Sequence, residues 1–520
     1  MSEGILSKNS QIAIFAIAGL MFFYGFFDKH GLMSFHGDTI CQIAFWRVFK
    51  WGRYVGELGA SQTKPAQVLL FGILSDLGEK AGTLAIRASL SAMAGGIVLI
   101  LIRLSLCFAE TVLGSIVRNR VLAISILVGF TALSFLFPFV QAGDSIIGYV
   151  FFSLLAVELW NGKNLSMSAV LSAGIALLFR IEGAVLVASF ILWALLSKQY
   201  KRGMLASVLF VMLMSFWYFF IIAIQGVPAR LDSGNAAGYF SFSGAGETGS
   251  FVAGFLYATS AFIQLISDPL KVIFYVLGFS GFYFAINEHR RRGWLSFLGK
   301  PIVLLYAPLL VISLNIWLKG GSLQERYVAT FLLVGIAIGW IPIQKLISQI
   351  KSASTKKMVA IIAIVVLAGN SLALLQRHFA RTIEKNSAQS SYFADDLNLI
   401  VNEGIIPPGI SLLTEDDILY TIVLAQPNRF PKLKALQSFN ILSRAEKNEV
   451  LKGVDYIYFS KLARFNNYLF YLVKPKWRDD DFRKMIEKLD VSKGSERYED
   501  VKLEVISSDQ NRIIIKVTRA

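Results

Sequence analysis

The sequence predicts an α-helical polytopic membrane domain over residues 1–375, followed by a small soluble α/β or α+β domain over 376–520. Three observations predict it. Hydrophobic residues make up 55% of the 520, and mean hydropathy is +0.57, far from a soluble profile. Apolar runs near bilayer-spanning length recur at Gln11–Phe27, Leu84–Cys107, Val121–Val140, Met204–Ile224, Pro301–Leu318 and Met358–Leu375; a helix needs roughly 20 such residues to cross the hydrocarbon. After Leu375 the chain turns polar and mixed in charge, and the remainder is long enough for one separate domain.

The first run is followed by no Ala-x-Ala-like cleavage site and reads as a retained helix. A long, polar first loop (28–64) follows it. Net charge is +16, but much of the excess sits in short loops, "SKQYKR" (197–202), "EHRRR" (288–292) and the run from Lys345 to Lys357. That is the cytoplasmic bias of a membrane protein, and it replaces a nucleic-acid reading. Placing those loops inside puts the Gly/Ser-rich segment 225–250 outside, with 251–267 lying in the interface. The count is about 11 spans, of odd parity, so the first loop and the C-terminal domain share the outer side. The short apolar stretches within 65–108 and 161–197 read as paired or broken helices.

In the C-terminal domain "GISLLTEDD" (409–417) reads as a strand and an acidic helix start, and "VDYIYFSKL" (454–462) and "NYLFYLVKP" (467–475) read as strands. "DDDFRKMIEKLD" (479–490) reads as a surface helix, and 501–519 as a hairpin with alternating apolar residues.

Candidate chemistry begins in the first loop. Asp38, in "HGDT", is a carboxylate near the membrane surface; the residues alone favour a hydrated loop acid, and the position also suits a general base or a metal ligand. His36 stands two residues away. Arg53 and Tyr54, with Trp46, Arg47, Lys50 and Trp51, suit headgroup anchoring as well as a phosphate or a sugar face. Lys64 precedes Pro65, a helix start at which the missing N–H costs nothing. Arg180 and Glu182 interrupt a long apolar stretch; charges there must pair, reach an interface or line a cavity. A break at Gly183 accommodates them. Arg326 and Tyr327 head another span, and Arg326 suits either an oxyanion contact or interface snorkelling. Cys41 and Cys107 form no metal or disulfide framework, and no phosphate-binding loop, dinucleotide fingerprint or nucleophile elbow is present.

The layout resembles the GT-C glycosyltransferases, in particular the bacterial inner-membrane branch related to protein mannosyltransferases and to the aminoarabinose transferase of lipid A. The residues that carry the resemblance are Asp38 after the first span, the Lys-Pro pair in "GELGASQTKPAQVLLFGIL" (56–74), "FRIEG" (179–183), and Arg326–Tyr327 opening a span ahead of an outer C-terminal domain. The resemblance implies a sugar transferred, with inversion, from a polyprenyl-phosphate donor to a lipid, glycan or protein acceptor on the outer face. Asp38 would be the base, with Lys64, Arg180, Glu182, Arg326 and Tyr327 contacting phosphate or shaping the site. His36, Arg53 and Tyr54 would touch acceptor or sugar, and a divalent Mg or Mn is used by some members. The chain departs from the pattern in two places: Asp38 is followed by Thr39 rather than a second acid, and no "WWDYG" motif follows the membrane part, which argues against en bloc transfer to asparagine. A secondary transporter and an envelope oligosaccharide polymerase or ligase are the alternatives. The first is favoured by intramembrane charge; the second expects a large reactive outer loop where 225–250 is modest.

Overall fold

The computed structural model describes residues 37–51, 64–113, 121–160, 165–225, 268–290, 325–401, 404–414, 432–435, 443–460, 481–509 and 512–519, with isolated positions 9, 12 and 16. The expected strand 467–475, the interfacial segment 251–267, the run 301–318 and nearly all of the first run lie outside them. Contacts divide the chain into two compact units. One comprises 1–32, 64–218 and 231–385; the other comprises 33–63, 219–230 and 386–520.

The helices are α1 Gly37–Trp51, α2 Pro65–Ser75, α3 Glu79–Leu113, α4 Val121–Ala142, α5 Ile146–Leu159, α6 Met167–Phe179, α7 Gly183–Leu196, α8 Tyr200–Gln225, α9 Pro269–Arg290, α10 Glu325–Ile338, α11 Trp340–Ser348 and α12 Ala353–Val401. Among the described residues five stretches are long and apolar enough to cross a membrane: Glu79–Glu110, Ile124–Ala142, Tyr200–Phe220, Ala329–Ser348 and Ala353–Ala380. The polytopic expectation is met, and the short apolar stretches resolve into separate helices.

In the first unit α3 and α5 run side by side in the same direction. Gly96 meets the ring of Phe151, and seven residues further along both helices Arg103 pairs with Glu158 at 2.8 Å. Ser91 is therefore level with Ile146, and the first three turns of α3 extend beyond the start of α5. α2 packs on α3 and α6. Its 11 residues span about 16 Å, half of what a crossing needs. It is a short helix at the end of the bundle, and the crossing belongs to α3.

At the opposite end Trp160 is fully buried, 4.8 Å from the ring of Trp193 and 5.4 Å from Phe190. α9 and α10 meet through small residues: a Cβ on Gly335 would overlap the backbone of Gly278, and one on Gly339 the carbonyl of Leu277. With no hydrophobic drive between helices in lipid, such close backbone approach supplies the packing. Ser280 Oγ donates to the Gly339 carbonyl at 3.0 Å.

α12 is tied to the bundle through one part of its length. Asn370 Nδ2 donates to the Leu270 carbonyl (2.7 Å), Arg377 donates to both oxygens of Asp268 (2.9 and 2.5 Å), and the Phe379 ring lies 4.5 Å from that of Phe137. Its apolar window is otherwise only 11% buried, the pattern of a lipid-facing helix.

In the second unit the C-terminal elements are β1 Ser411–Thr414, β2 Lys432–Ala435, α13 Arg444–Lys452, β3 Tyr456–Ser460, α14 Asp481–Ser492, β4 Ser495–Tyr498, β5 Val501–Ser508 and β6 Arg512–Arg519. They form one mixed sheet of order β2-β1-β3-β6-β5-β4. β1 is parallel to β2 and β3, and the other pairings are antiparallel. The 501–519 hairpin forms as expected, with a bulge between Val505 and Ser507. Val501 and Leu503 face a core shared with Phe482, Ile486 and Leu489 of α14 and with Leu451 of α13, while Lys502 and Glu504 are exposed. α13 starts on a reciprocal cap between Ser443 and Glu446.

Candidate active site

Four helix starts gather at one end of the first unit. α2 begins at Lys64–Pro65, and Gln67 Nε2 donates to the carbonyl of Gly143 at 2.8 Å. Gly143, Asp144 and Ser145 form the turn between α4 and α5. The Asp144 carboxylate accepts from the Ile146 N–H at 2.9 Å, satisfying one of the donors a helix start leaves open.

The break expected between two short helices is residues 180–182. Its cause is packing: a Cβ on Gly183 would overlap the α6 backbone at Leu177, so only glycine lets α7 leave at this angle. Arg180 and Glu182 are 6% and 5% exposed and bond each other directly, a geometry a continuous helix would not give them. Arg180 donates from Nη2 (2.6 Å) and Nε (3.2 Å) to one Glu182 oxygen, and from Nη1 to Ser145 Oγ at 3.5 Å. The pair thus joins the α6–α7 break to the α4–α5 turn.

One turn into α5, the hydroxyl of buried Tyr149 meets Thr330 of α10, within electrostatic reach of Glu182 and Arg180. Arg326 stands one turn before Thr330, in the first turn of α10 with Tyr327. Lys64, Arg180, Glu182 and the helical turn carrying Arg326 and Tyr327 therefore share one end of the first unit.

Asp38 belongs to the second unit, in the first turn of α1, next to buried Thr39 and one turn before buried Gln42. Within that unit Phe49 of α1 packs 5.6 Å from Phe220. His36, Arg53 and Tyr54 lie outside the described residues. Among the described residues no group of three or more His, Cys, Asp or Glu is arranged to hold a metal ion.

Sequence reasoning missed Gln67, Ser145 and Tyr149. The "AGDS" stretch (142–145) carried a usable signal, a turn glycine followed by an acid two residues before a helix; Gln67 and Tyr149 carried none. It also passed over Arg87, 1% exposed on α3.

The architecture is a polytopic helical region followed by a small β-rich domain. An archaeal oligosaccharyltransferase, AglB from Archaeoglobus fulgidus, solved with an inhibitory peptide and a dolichol-phosphate, matches at TM-score 0.51 and 10% identity, over 98% of this chain and 74% of its own. ArnT from Cupriavidus metallidurans matches in its apo state (TM-score 0.48, 12% identity, 97% of each chain) and bound to undecaprenyl phosphate (TM-score 0.47, 12% identity, 98% of each chain). At these identities the likeness is one of fold. No family model matches the sequence, and no curated protein is similar to it.

Proposed function

We propose that the protein is a membrane glycosyltransferase that moves a sugar from a polyprenyl-phosphate donor to a lipid, glycan or protein acceptor, with inversion, on the outer side of a bacterial inner membrane. The C-terminal domain stands on that same side. The observation that carries the reading is the convergence of Lys64, the Arg180–Glu182 pair and the Arg326–Tyr327 turn at one end of a bundle of GT-C type. The fold relative solved with a dolichol-phosphate supports the donor class.

Arg180 spends two of its donor nitrogens on Glu182, so it and Glu182 position the α6–α7 break. Lys64 and Arg326 are the phosphate cations, Arg326 with a fork that fits an oxyanion bidentately. The acceptor hydroxyl attacks the anomeric carbon and the bond to the phosphate oxygen breaks. Polyprenyl phosphate leaves, and the hydroxyl proton passes to Asp38. Positioning and phosphate electrostatics supply most of the rate.

Transfer from a panel of radiolabelled polyprenyl-phosphate sugars, by purified protein in nanodiscs with envelope extract as acceptor, tests the reading. Asp38→Asn should fold and insert normally and lose at least about a hundredfold in turnover. Undiminished turnover in that variant removes the base assignment. Donor left intact by the wild type, together with solute movement in sealed vesicles, replaces the enzyme with a transporter.

A further inference from the structure

Tyr149 of α5 and Thr330 of α10 are buried, 4% and 6% exposed, and take no direct part in the transfer step. We infer that the contact between their hydroxyls sets the register of α10 against α5 and so positions Arg326 for the donor phosphate. This role rests on the donor reading and adds to it two positioning residues that touch no substrate.

The register can be followed along the helices. α10 packs on α3, α4 and α5. Just past its far end Trp340, the first residue of α11, donates from Nε1 to Ser105 Oγ of α3 at 2.7 Å. Ala94 precedes Ser105 on α3 by three helical turns, and the Gly96–Phe151 and Arg103–Glu158 contacts place it level with Tyr149. Thr330 precedes Trp340 by nearly the same distance, and its hydroxyl is a hydrogen-bond partner of the Tyr149 hydroxyl. α10 therefore runs beside α3 and α5 in the same direction, and two polar contacts about 16 Å apart agree on its register. Arg326 and Ser145 lie one turn before Thr330 and Tyr149 respectively. The same register thus brings the turn carrying Arg326 level with Ser145, the hydroxyl that accepts from Arg180 Nη1 at 3.5 Å.

Apolar packing alone does not select this register. Between Tyr327 and Trp340 the sequence has one polar side chain, Thr330. The Gly335 and Gly339 contacts hold α10 to α9, leaving its setting against α5 to other groups. In lipid the hydrophobic effect does not tell one apolar face from another, so a hydrogen bond between helices carries that information. Tyr149 also stands within electrostatic reach of Glu182 and Arg180. The hydroxyl pair therefore joins the helix that carries Arg326 to the ion pair at the α6–α7 break, the two elements on which the phosphate would have to be centred.

Affinity for a lipid phosphate tests this role apart from sugar transfer. Full-length protein in nanodiscs is titrated with a fluorescent polyprenyl phosphate, and the unfolding midpoint of each variant is measured in mixed micelles. Tyr149→Phe keeps the ring and removes the hydroxyl. A misplacement of about 1 Å can cost a hundredfold; we expect part of that, a rise of about tenfold in Kd. The unfolding midpoint should stay near wild type, because one interhelical hydrogen bond adds little stability in lipid. Thr330→Val, of the same shape, should lose as much, and the double variant no more than either. Thr330→Ser, which keeps the hydroxyl, should recover the affinity. In an Arg326→Gln background Tyr149→Phe should change nothing. Wild-type affinity in both Tyr149→Phe and Thr330→Val overturns the role and leaves the donor reading intact. A tenfold loss that persists in Arg326→Gln also overturns it, since the hydroxyl then acts through another group, as does a loss matched by a fall in the unfolding midpoint. A wild type that binds no polyprenyl phosphate removes the donor reading, and the role of the pair with it.

Discussion

Replacing Arg180 and Glu182 singly and together separates scaffold from chemistry at the α6–α7 break. Both side chains are at least nine-tenths buried and the shortest contact is 2.6 Å. Glu182→Leu leaves a guanidinium with its two bonds to the carboxylate gone and only the 3.5 Å contact to Ser145 among the bonds described above. Removing one partner of a buried pair costs about 3–5 kcal/mol, because the survivor remains desolvated and uncompensated. Arg180→Met should cost about the same by stranding the carboxylate. The double variant places two apolar side chains of similar bulk in the site and should recover to within about 1 kcal/mol of wild type. The coupling energy is then nearly the whole single-mutant cost. Equilibrium unfolding in mixed detergent micelles measures stability, and transfer from lipid-phosphate sugar measures activity. A stable but inactive double variant assigns the pair to site positioning, and a stable and active one assigns it to helix packing. Single variants that each cost less than about 1 kcal/mol would refute the argument, since they would mean that water reaches the pair.

Gly335→Ala should push α9 and α10 apart, because the new methyl overlaps the Gly278 backbone; the expected loss is about 1–3 kcal/mol by micelle unfolding. Gly369→Ala is its contrast: nothing stands within 4 Å of a Cβ there, and the helix should gain up to about 1 kcal/mol. In the C-terminal domain, hydrogen bonds from Lys452 and Asn448 hold the Asp500 carboxyl below the ordinary carboxylate value, and Lys452 is raised, first by Glu449 and then by Asp500. Stability from this contact is present above the unfolded carboxyl pKa and is lost as pH falls through the lower folded value. Asp500→Asn should therefore lower stability near neutral pH, meet the wild type at low pH and so flatten the acid limb of a stability–pH curve; an unchanged acid limb contradicts the assignment.

The apolar runs were enough to read helices, because in lipid the backbone can be satisfied only within a helix or a closed barrel. The stretch after Lys64, read as paired or broken helices, divides at Asp76–Gly78 into α2 and α3, and α3 does the crossing. The division rests on a glycine at positive φ, Gly78, and on the Gln67–Gly143 contact across 76 residues. Alternation at 501–519 showed a hairpin directly, since a buried sheet face imposes a period of two. Arg180 and Glu182 were legible as an anomaly, charges where charge is costly. That they bind each other depends on a break whose angle is set by Gly183 against Leu177. Arg87 gave no signal, because one cation near the start of a long helix reads as snorkelling until its burial is known.

Among the described residues the mixed sheet ends on two four-residue strands. β2 carries Lys432 and Lys434 in "KLKA", and β4 carries Glu496 and Arg497 in "SERY". Short, charged border strands offer little template for another chain to add on. Substituting valine for both lysines of β2 would leave the inner strands' pairings intact while opening a route to edge-to-edge association, so the cost of such a change would surface as lost yield rather than lost turnover.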